Sequence, residues 1–275
     1  AAAERIYAIL NTPLPQSLGK TAVPHFSQIH FENVSVTFGA AERPALADFS
    51  LTINRGERVA LVGATGSGKS TVANLLLGFV TPTNGRIQLS TPTETIPLSQ
   101  VDAQQWRAQI GWVPQRGYLF NMSVADNIRL GHAAASEAQL VAAAEAANAH
   151  SFIEALPQGY ETILGENATR LSGGQAQRIA LARALVRRAP LYIFDEATAN
   201  LDADNELAIQ QNLATLTADA TVLIIAHRLE TIQQADKIVV LDNGRIVESG
   251  THQELLKQQG AYFQLLHAFG EVPRV

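Results

Sequence analysis

Gly63-Ala64-Thr65-Gly66-Ser67-Gly68-Lys69-Ser70 decides how the rest of this chain is read. The stretch satisfies the pattern Gly-x-x-x-x-Gly-Lys-[Ser/Thr] at every fixed position. An apolar run, Arg58 to Val62, precedes it, and a helix-favouring run from Lys69 to about Gly78 follows. Glycines at 63, 66 and 68 let backbone amides turn inward with no side chain in the way. Those amides and the helix N-terminus form a concave positive site for phosphate oxygens, a cradle that also takes in Ala64, Thr65, Ser67 and Thr71. In such a loop Lys69 reaches the outer phosphates and the Ser70 hydroxyl binds magnesium. The alternative is a glycine-rich turn with a chance lysine, against which the strand before it and the helix after it both count.

Outward from this loop the chain alternates strands and helices. The pattern Ile29, Phe31, Val34, Val36, Phe38 predicts a strand with a slip near Asn33. Leu46 to Ile53 is a second strand, turned at Asn54-Arg55-Gly56 into a third, Arg58 to Val62, which is apolar enough to be covered on both faces. Gly85 to Leu89 and Ile110 to Val113 are further strands. Residues 122–188 then change character: Ala-rich stretches, Ser136 to Ala149 and Ala176 to Arg188 above all, predict a helical subdomain inserted into the core. Strands resume at Leu191 to Phe194 and Thr221 to Ala226. Ile238 to Leu241 pairs with Arg245 to Glu248 through Asp242-Asn243-Gly244, a strong hairpin signal. Helices near 252–259 and 261–268 close the chain. The expectation is an α/β core with a parallel sheet.

Leu191-Tyr192-Ile193-Phe194-Asp195-Glu196 is an apolar strand ending in two adjacent carboxylates. Ligands in open α/β sheets gather at the carboxyl ends of strands, where both acids fall. Asp195 suits second-shell magnesium binding and Glu196 suits polarising an attacking water. A plain helix N-cap is the competing reading of such a pair, and the phosphate loop tips the balance toward magnesium.

Composition sets limits. The 275 residues are 47% hydrophobic and 16% charged, a globular balance. A formal net charge of -5 gives no general attraction to nucleic acid, and zero cysteines exclude disulfides and thiolate metal sites. No window reaches the roughly 18 consecutive apolar residues of a membrane helix, and no signal peptide is visible. Ala1 to Leu10 reads as a helix stopped by Asn11-Thr12-Pro13-Leu14-Pro15. Residues 1–27 are therefore expected to be a linker from a missing transmembrane domain, and 28–275 a nucleotide-binding domain with the helical subdomain at about 122–188.

The phosphate loop alone says only nucleotide. Leu171-Ser172-Gly173-Gly174-Gln175, before a helix and upstream of Asp195, resembles the signature sequence of ATP-binding cassette (ABC) ATPases. Other motifs follow in that family's order: Gln115 in Trp112-Val113-Pro114-Gln115 matches the Q-loop, Asn200-Leu201-Asp202 resembles the D-loop, and His227 matches the switch histidine. The resemblance covers about Ile29 to Phe269. It implies the ABC ATPase version of the phosphate-loop NTPase fold: a mixed sheet core, an antiparallel β subdomain and an inserted α-helical subdomain. It also implies ATP and Mg2+ as cofactors, and two domains packed head to tail with each ATP between the phosphate loop of one and the signature of the other.

Within that resemblance Glu196, His227, Gln115 and Lys69 are the catalytic candidates, and Ser70, Gln115 and Asp195 the metal candidates. Ser172, Gly173, Gly174 and Gln175 are the nucleotide-binding candidates of the signature; Ser172 and Gly174 make the contacts to the γ-phosphate in trans, the helix beginning near Gln175 pointing its positive end at it. Phe38 stands where the family stacks an aromatic, usually Tyr, on adenine; as a strand-end aromatic it also reads as core. Leu119-Phe120 with Ser123-Val124-Ala125-Asp126-Asn127-Ile128 resembles the exporter pattern facing the membrane domain, and Gly165-Glu166 resembles the exporter X-loop. Arg170 to Arg178 and the linker loosely resemble bacterial exporters of cysteine and glutathione needed for cytochrome bd assembly. The expected partners are a second nucleotide-binding domain, identical or not, and the transmembrane domain of the same polypeptide, at the cytoplasmic face of a bacterial inner membrane. An importer ATPase, a soluble ABC ATPase of DNA repair or translation, and an ATP clamp without turnover are the competing readings.

Overall fold

The structure, a computed structural model, describes residues 19–39, 43–165, 171–197, 203–226 and 228–268, with the backbone alone for 203–207. The first strands are β1 (Gln28–Val36), β2 (Leu46–Asn54), β3 (Arg58–Val62), β4 (Asn84–Ser90), β5 (Thr95–Pro97) and β6 (Ile110–Val113). After a helical stretch come β7 (Leu191–Asp195), β8 (Thr221–Ile225), β9 (Lys237–Asp242) and β10 (Arg245–Gly250). The helices are α1 (Lys69–Leu76), α2 (Ala103–Arg107), α3 (Val124–Arg129), α4 (Glu137–Ala146) and α5 (His150–Glu154). They continue as α6 (Gly173–Leu185), α7 (Ala203–Leu216), α8 (Leu229–Gln233), α9 (His252–Gln258) and α10 (Ala261–Ala268).

Two sheets result. One is antiparallel, in the order β2-β1-β4-β5; the other has six strands in the order β10-β9-β3-β8-β7-β6. Strands β9, β3, β8, β7 and β6 run parallel, and β10 pairs antiparallel with β9, so the larger sheet is mixed. Side chains alternate across a strand, and here both faces are covered. Val59, Leu61, Leu191, Ile193, Leu223 and Ile225 face a core shared with α1 and the antiparallel sheet. Ala60, Val62, Tyr192, Phe194, Val222 and Ile224 face a second core built with the helices from α3 onward. Continuous apolar runs are what burial on both faces demands.

Most expected elements stand where the pattern put them. The slip near Asn33 is a bulge: the β1–β2 register shifts between Phe31 and Val34, Asn33 has φ 47, and its amide donates to Ser50 Oγ at 2.9 Å. The β9–β10 turn places Asn243 at φ 46 and Gly244 at φ 77, the left-handed pair a tight hairpin needs. Other details differ. β1 stops at Val36, so Phe38 lies in the loop beyond it. The turn at Asn54-Arg55-Gly56 joins two strands that do not pair: β2 edges the antiparallel sheet and β3 lies inside the other. β5, α2 and α8 went unread because three to five residues show no period. α7 went unread because its apolar spacing is regular only at Ile209, Leu213 and Leu216. The expected helix at 1–10 lies outside the described residues. From Gly19 the segment leading to β1 lies against the fold, its amide donating to Ser99 O at 2.8 Å and Thr21 bridging Val101.

Trp106 locks the two sheets' shared core. It is fully buried on α2, meets Phe26 edge-on at 5.9 Å, and donates Nε1–H to Leu76 O at 2.5 Å. That carbonyl lies in the last turn of α1, where no helix amide remains to pair it. Trp106→Phe keeps a ring but removes the donor, and should lower the unfolding free energy by about 1–3 kcal/mol in urea denaturation. A loss indistinguishable from zero would show that the bond does not anchor the end of α1.

Candidate functional site

β3 ends at Val62 with its apolar residues fully buried, and α1 begins at Lys69, so the chain reverses within a short loop. Gly68 makes the reversal at φ 107, and a Cβ there would lie 2.6 Å from Ala45 O and 2.7 Å from Leu46 Cδ2. From the other side Gly244 of the β9–β10 turn donates to Ser67 O at 3.1 Å, while its own carbonyl accepts from Ala47 N at 2.9 Å. The loop is thus braced between the start of β2 and a hairpin turn nearly 180 residues later in the chain. Within it Ser67 N donates to Ala64 O at 3.1 Å. Ala64, Thr65, Gly66 and Ser70 face solvent, and Thr71 is half-buried. No side chain caps α1, and Thr71 N and Val72 N donate back to Gly68 O at 3.0 and 3.2 Å, so it is the amides of Lys69 and Ser70 at the helix start that suit a ligand.

Lys69 is only 6% exposed. Its ammonium donates to Gly63 O at 2.8 Å, Ala64 O at 2.9 Å and Ser67 Oγ at 3.4 Å, closing the loop around itself. Burial pulls its pKa below the usual lysine value, against the opposing pull of Glu196 and then Asp195. Both carboxylates therefore act on this ammonium across the carboxyl edge of the parallel sheet. A phosphate oxygen drawn to the same ammonium would add a partner for its charge.

Asp195 ends β7 and Glu196 follows it, both half-buried. Glu196 takes a left-handed φ of 50, uncommon for a side-chain-bearing residue. Its amide donates to Ile225 O at 3.1 Å, and the next carbonyl, Ala197 O, accepts from Gln177 Nε2 at 3.0 Å. Glu196, with φ 50, lacks the extended backbone of an N-cap residue, which counts against the N-cap alternative.

The remaining candidates are spread around this centre. Phe38 is 51% exposed, which excludes the core reading and leaves a ring face open. Gln115 is exposed in the loop after β6. Ser172 caps α6, which starts two residues earlier than Gln175: Ser172 Oγ accepts from Gln175 N at 3.2 Å, and Gln175 Oε1 accepts from Ser172 N at 2.9 Å. The Gln175 side chain is thus engaged within its own helix. Ser172 and Gly173 are exposed, Gly174 is half-buried, and no hydrogen bond among the described residues joins Ser172–Gln175 to the phosphate loop. One chain brings together the loop and the carboxylates, but not the signature. His227, Asn200, Leu201, Asp202, Glu166 and Arg170 lie outside the described residues. The sequence reading missed the brace from Gly244 and the Gln177–Ala197 bond. The Asn-Gly pair signalled only a hairpin, and nothing local signals what Gln177 reaches.

Known proteins match this arrangement. The family described as ABC transporter matches residues 46–199. An ATP-dependent lipid A-core flippase of Chromobacterium violaceum is 46% identical over 266 residues, covering 96% of this chain and 45% of the relative. One from Acinetobacter baylyi is also 46% identical over 266 residues, covering 96% of this chain and 46% of its own. The solved structure of a bacterial Atm1-family ABC exporter with ATP bound superposes with TM-score 0.87 at 37% identity, over 97% of this chain and 46% of that one. The chain spans about half the length of the relatives it matches. These names lend no support to the finer resemblance to cysteine and glutathione exporters.

Replacing Lys69 by Met keeps the stem and removes the ammonium. Affinity for a fluorescent ATP analogue, titrated by anisotropy, is expected to fall at least about tenfold, as loss of a charge-assisted bond implies. Unchanged affinity would place the phosphates elsewhere.

Proposed function

The chain belongs to the ABC transporter family, and from that premise we propose that it is the ATP-hydrolysing part of an exporter, working by closure on a second such domain. One observation carries the reading: the buried Lys69 ammonium sits inside a phosphate loop at the carboxyl edge of the parallel sheet, the same edge at which Asp195 ends β7 and Glu196 follows. The relatives named above are flippases and an exporter, which favours export over an importer or a soluble repair or translation ATPase.

On this reading the ATP phosphates lie on the amides from Gly63 to Ser70, Lys69 turns its ammonium to the outer phosphates, and Phe38 stacks on the base. Glu196 polarises the attacking water, with His227 orienting it against the γ-phosphate. The transferred group needs positioning and charge stabilisation more than covalent help. For Mg2+ the donors fit: the Ser70 hydroxyl, the Asp195 carboxylate and the Gln115 amide offer oxygen alone, as that cation prefers. Among the described residues no cluster of three or more His, Asp or Glu could cage a metal unaided, which suits an ion arriving with the nucleotide. When bound, it neutralises charge on the phosphate oxygens. The exposed Ser172 and Gly173, at the positive end of α6, supply the remaining amides to the nucleotide of the second copy.

The proposed membrane partner rests on a separate surface. Among the described residues no helix is long and apolar enough to cross a membrane. Yet Phe79, Tyr118, Phe120 and Leu130 are exposed. Tyr118 meets Phe120 edge-on at 4.9 Å and Phe79 meets Trp112 at 5.5 Å. Exposed aromatics of this kind suit a docking site for protein, here the transmembrane portion of the full-length protein on the cytoplasmic side.

Mg2+-dependent hydrolysis measured against protein concentration should rise faster than linearly, and Glu196→Gln should form an ATP-dependent dimer by size exclusion. Binding without turnover or dimer at any concentration would instead require a different partner or a clamp role. Tyr118→Ser with Phe120→Ser should leave hydrolysis by the isolated domain within about twofold, as surface changes away from the chemistry do, and uncouple it in the full-length transporter. Unimpaired transport would move the docking site elsewhere.

A further inference from the structure

Gln177 is a neutral polar side chain on α6, five residues past the cap at Ser172, and only 4% exposed. A buried amide has to be hydrogen-bonded, and Gln177 Nε2 donates to Ala197 O at 3.0 Å. The acceptor belongs to the residue directly after Glu196. Glu196 holds a left-handed φ of 50, a conformation that persists only where the surroundings over-determine it. Two bonds do so. On the upstream side Glu196 N donates to Ile225 O at 3.1 Å, from the neighbouring strand; on the downstream side Ala197 O is gripped by Gln177. Loss of the second bond removes the hold on the peptide after Glu196 and lets its φ, and with it the carboxylate, shift.

The same helix has another duty at its start. Its exposed N-terminus, capped by Ser172, is the surface offered to the nucleotide of the second copy. At about 1.5 Å per residue, Ser172 and Gln177 lie roughly 7–8 Å apart along one rigid helix. A shift of α6 as its N-terminus closes on that nucleotide therefore moves Gln177, and with it the backbone that aims Glu196 at the chain's own nucleotide.

The geometry points to Gln177 as a positioning residue for hydrolysis: it ties the direction of Glu196 in one site to engagement of α6 at the other. This rests on the reading of Glu196 as the group that polarises water and of Ser172 as a contact made in trans. Gln177 touches neither nucleotide; it acts through Ala197 and Glu196.

The test uses two variants that keep the side chain's length. Gln177→Met removes the donor, and Gln177→Glu replaces it with an acceptor facing the carbonyl. Gln177→Met should lower kcat about tenfold, as an ångström-scale misplacement of a catalytic group does, with KM for ATP within twofold and the melting temperature of the ATP-bound protein preserved. Gln177→Glu should lose at least as much. In a Glu196→Gln background, followed by single-turnover hydrolysis over hours, adding Gln177→Met should cause no further loss, since the two act through one group. The proposal is overturned by kcat within twofold of the parent, by an equal further loss in the Glu196→Gln background, or by both variants failing to fold with ATP present, which would make Gln177 a packing residue. Full turnover by Glu196→Gln alone would sink the assignment of Glu196 itself, a result separate from any of these.

Discussion

A lysine ammonium held almost out of water inside its own loop constrains everything around it. Taking that charge from solvent is unfavourable, which is why burial lowers the Lys69 pKa. The charge tolerates the site because Gly63 O and Ala64 O point inward and the carboxylates of Glu196, just past β7, and Asp195, at its end, favour the charged form. Inward carbonyls require the loop to curl, and the curl requires glycine at 68, where a Cβ would run into Ala45 O. Carboxylates on the same side require β7 and β3 to be parallel with their carboxyl ends on one edge, which β8 between them arranges. The parallel sheet in turn requires cover on both faces, here α1 with the second sheet on one and the later helices on the other.

Helix α6 extends the constraint outward. Its N-terminus is open at Ser172, its middle holds Ala197 O through Gln177, and near its end Arg183 reaches the aromatic loop. The Arg183 guanidinium, brought down to about 10 by burial, donates to Tyr118 O at 2.8 Å, Asn127 O at 2.8 Å and Asn127 Oδ1 at 3.0 Å. Asn127, fully buried, accepts from Phe120 N at 2.9 Å and donates to Phe120 O at 3.0 Å. One rigid element thus touches the surface proposed to meet a second copy's nucleotide, the peptide after Glu196 and the loop that carries the exposed Tyr118–Phe120 pair. Motions that pass between such surfaces need a body that moves as a unit, and a 13-residue helix gripped at these points is one.

What the sequence discloses and what it withholds divide along the reach of each contact. Gly63–Ser70, Asn243–Gly244, the Asn33 slip and the apolar strands are legible because their causes are local: backbone freedom, turn chemistry, burial on both faces. Asp195 and Glu196 are legible as strand-end acids, while the left-handed φ that aims Glu196 is not, since it depends on Ile225 and Gln177 from other elements. Phe38 reads as core from its place at a strand end and as a ligand contact only through the family resemblance; its exposure removes the first reading. Gln175 matched a nucleotide-binding pattern, and the structure gives its side chain a capping role at Ser172. The separation of β2 and β3 into different sheets is likewise invisible in a turn such as Asn54-Arg55-Gly56, because a tight turn fixes direction and not partners.

A single chain that brings phosphate loop and carboxylates together while leaving the N-terminus of α6 open has a further physical consequence. The open helix end carries a partial positive charge of about half a unit, too little to hold two proteins together unaided and well suited to the charge on a terminal phosphate. On the proposed reading, that attraction exists only while the γ-phosphate bridges the two surfaces. Hydrolysis detaches the group that both copies hold, so the closed state loses its stabilisation at the step Glu196 promotes. A residue such as Gln177, which makes the aim of Glu196 depend on α6, then keeps turnover low until closure is complete. On that reading an ATPase built this way does not need a separate switch, because the helix end proposed to meet the partner's nucleotide and the peptide after Glu196 are joined by one side-chain amide.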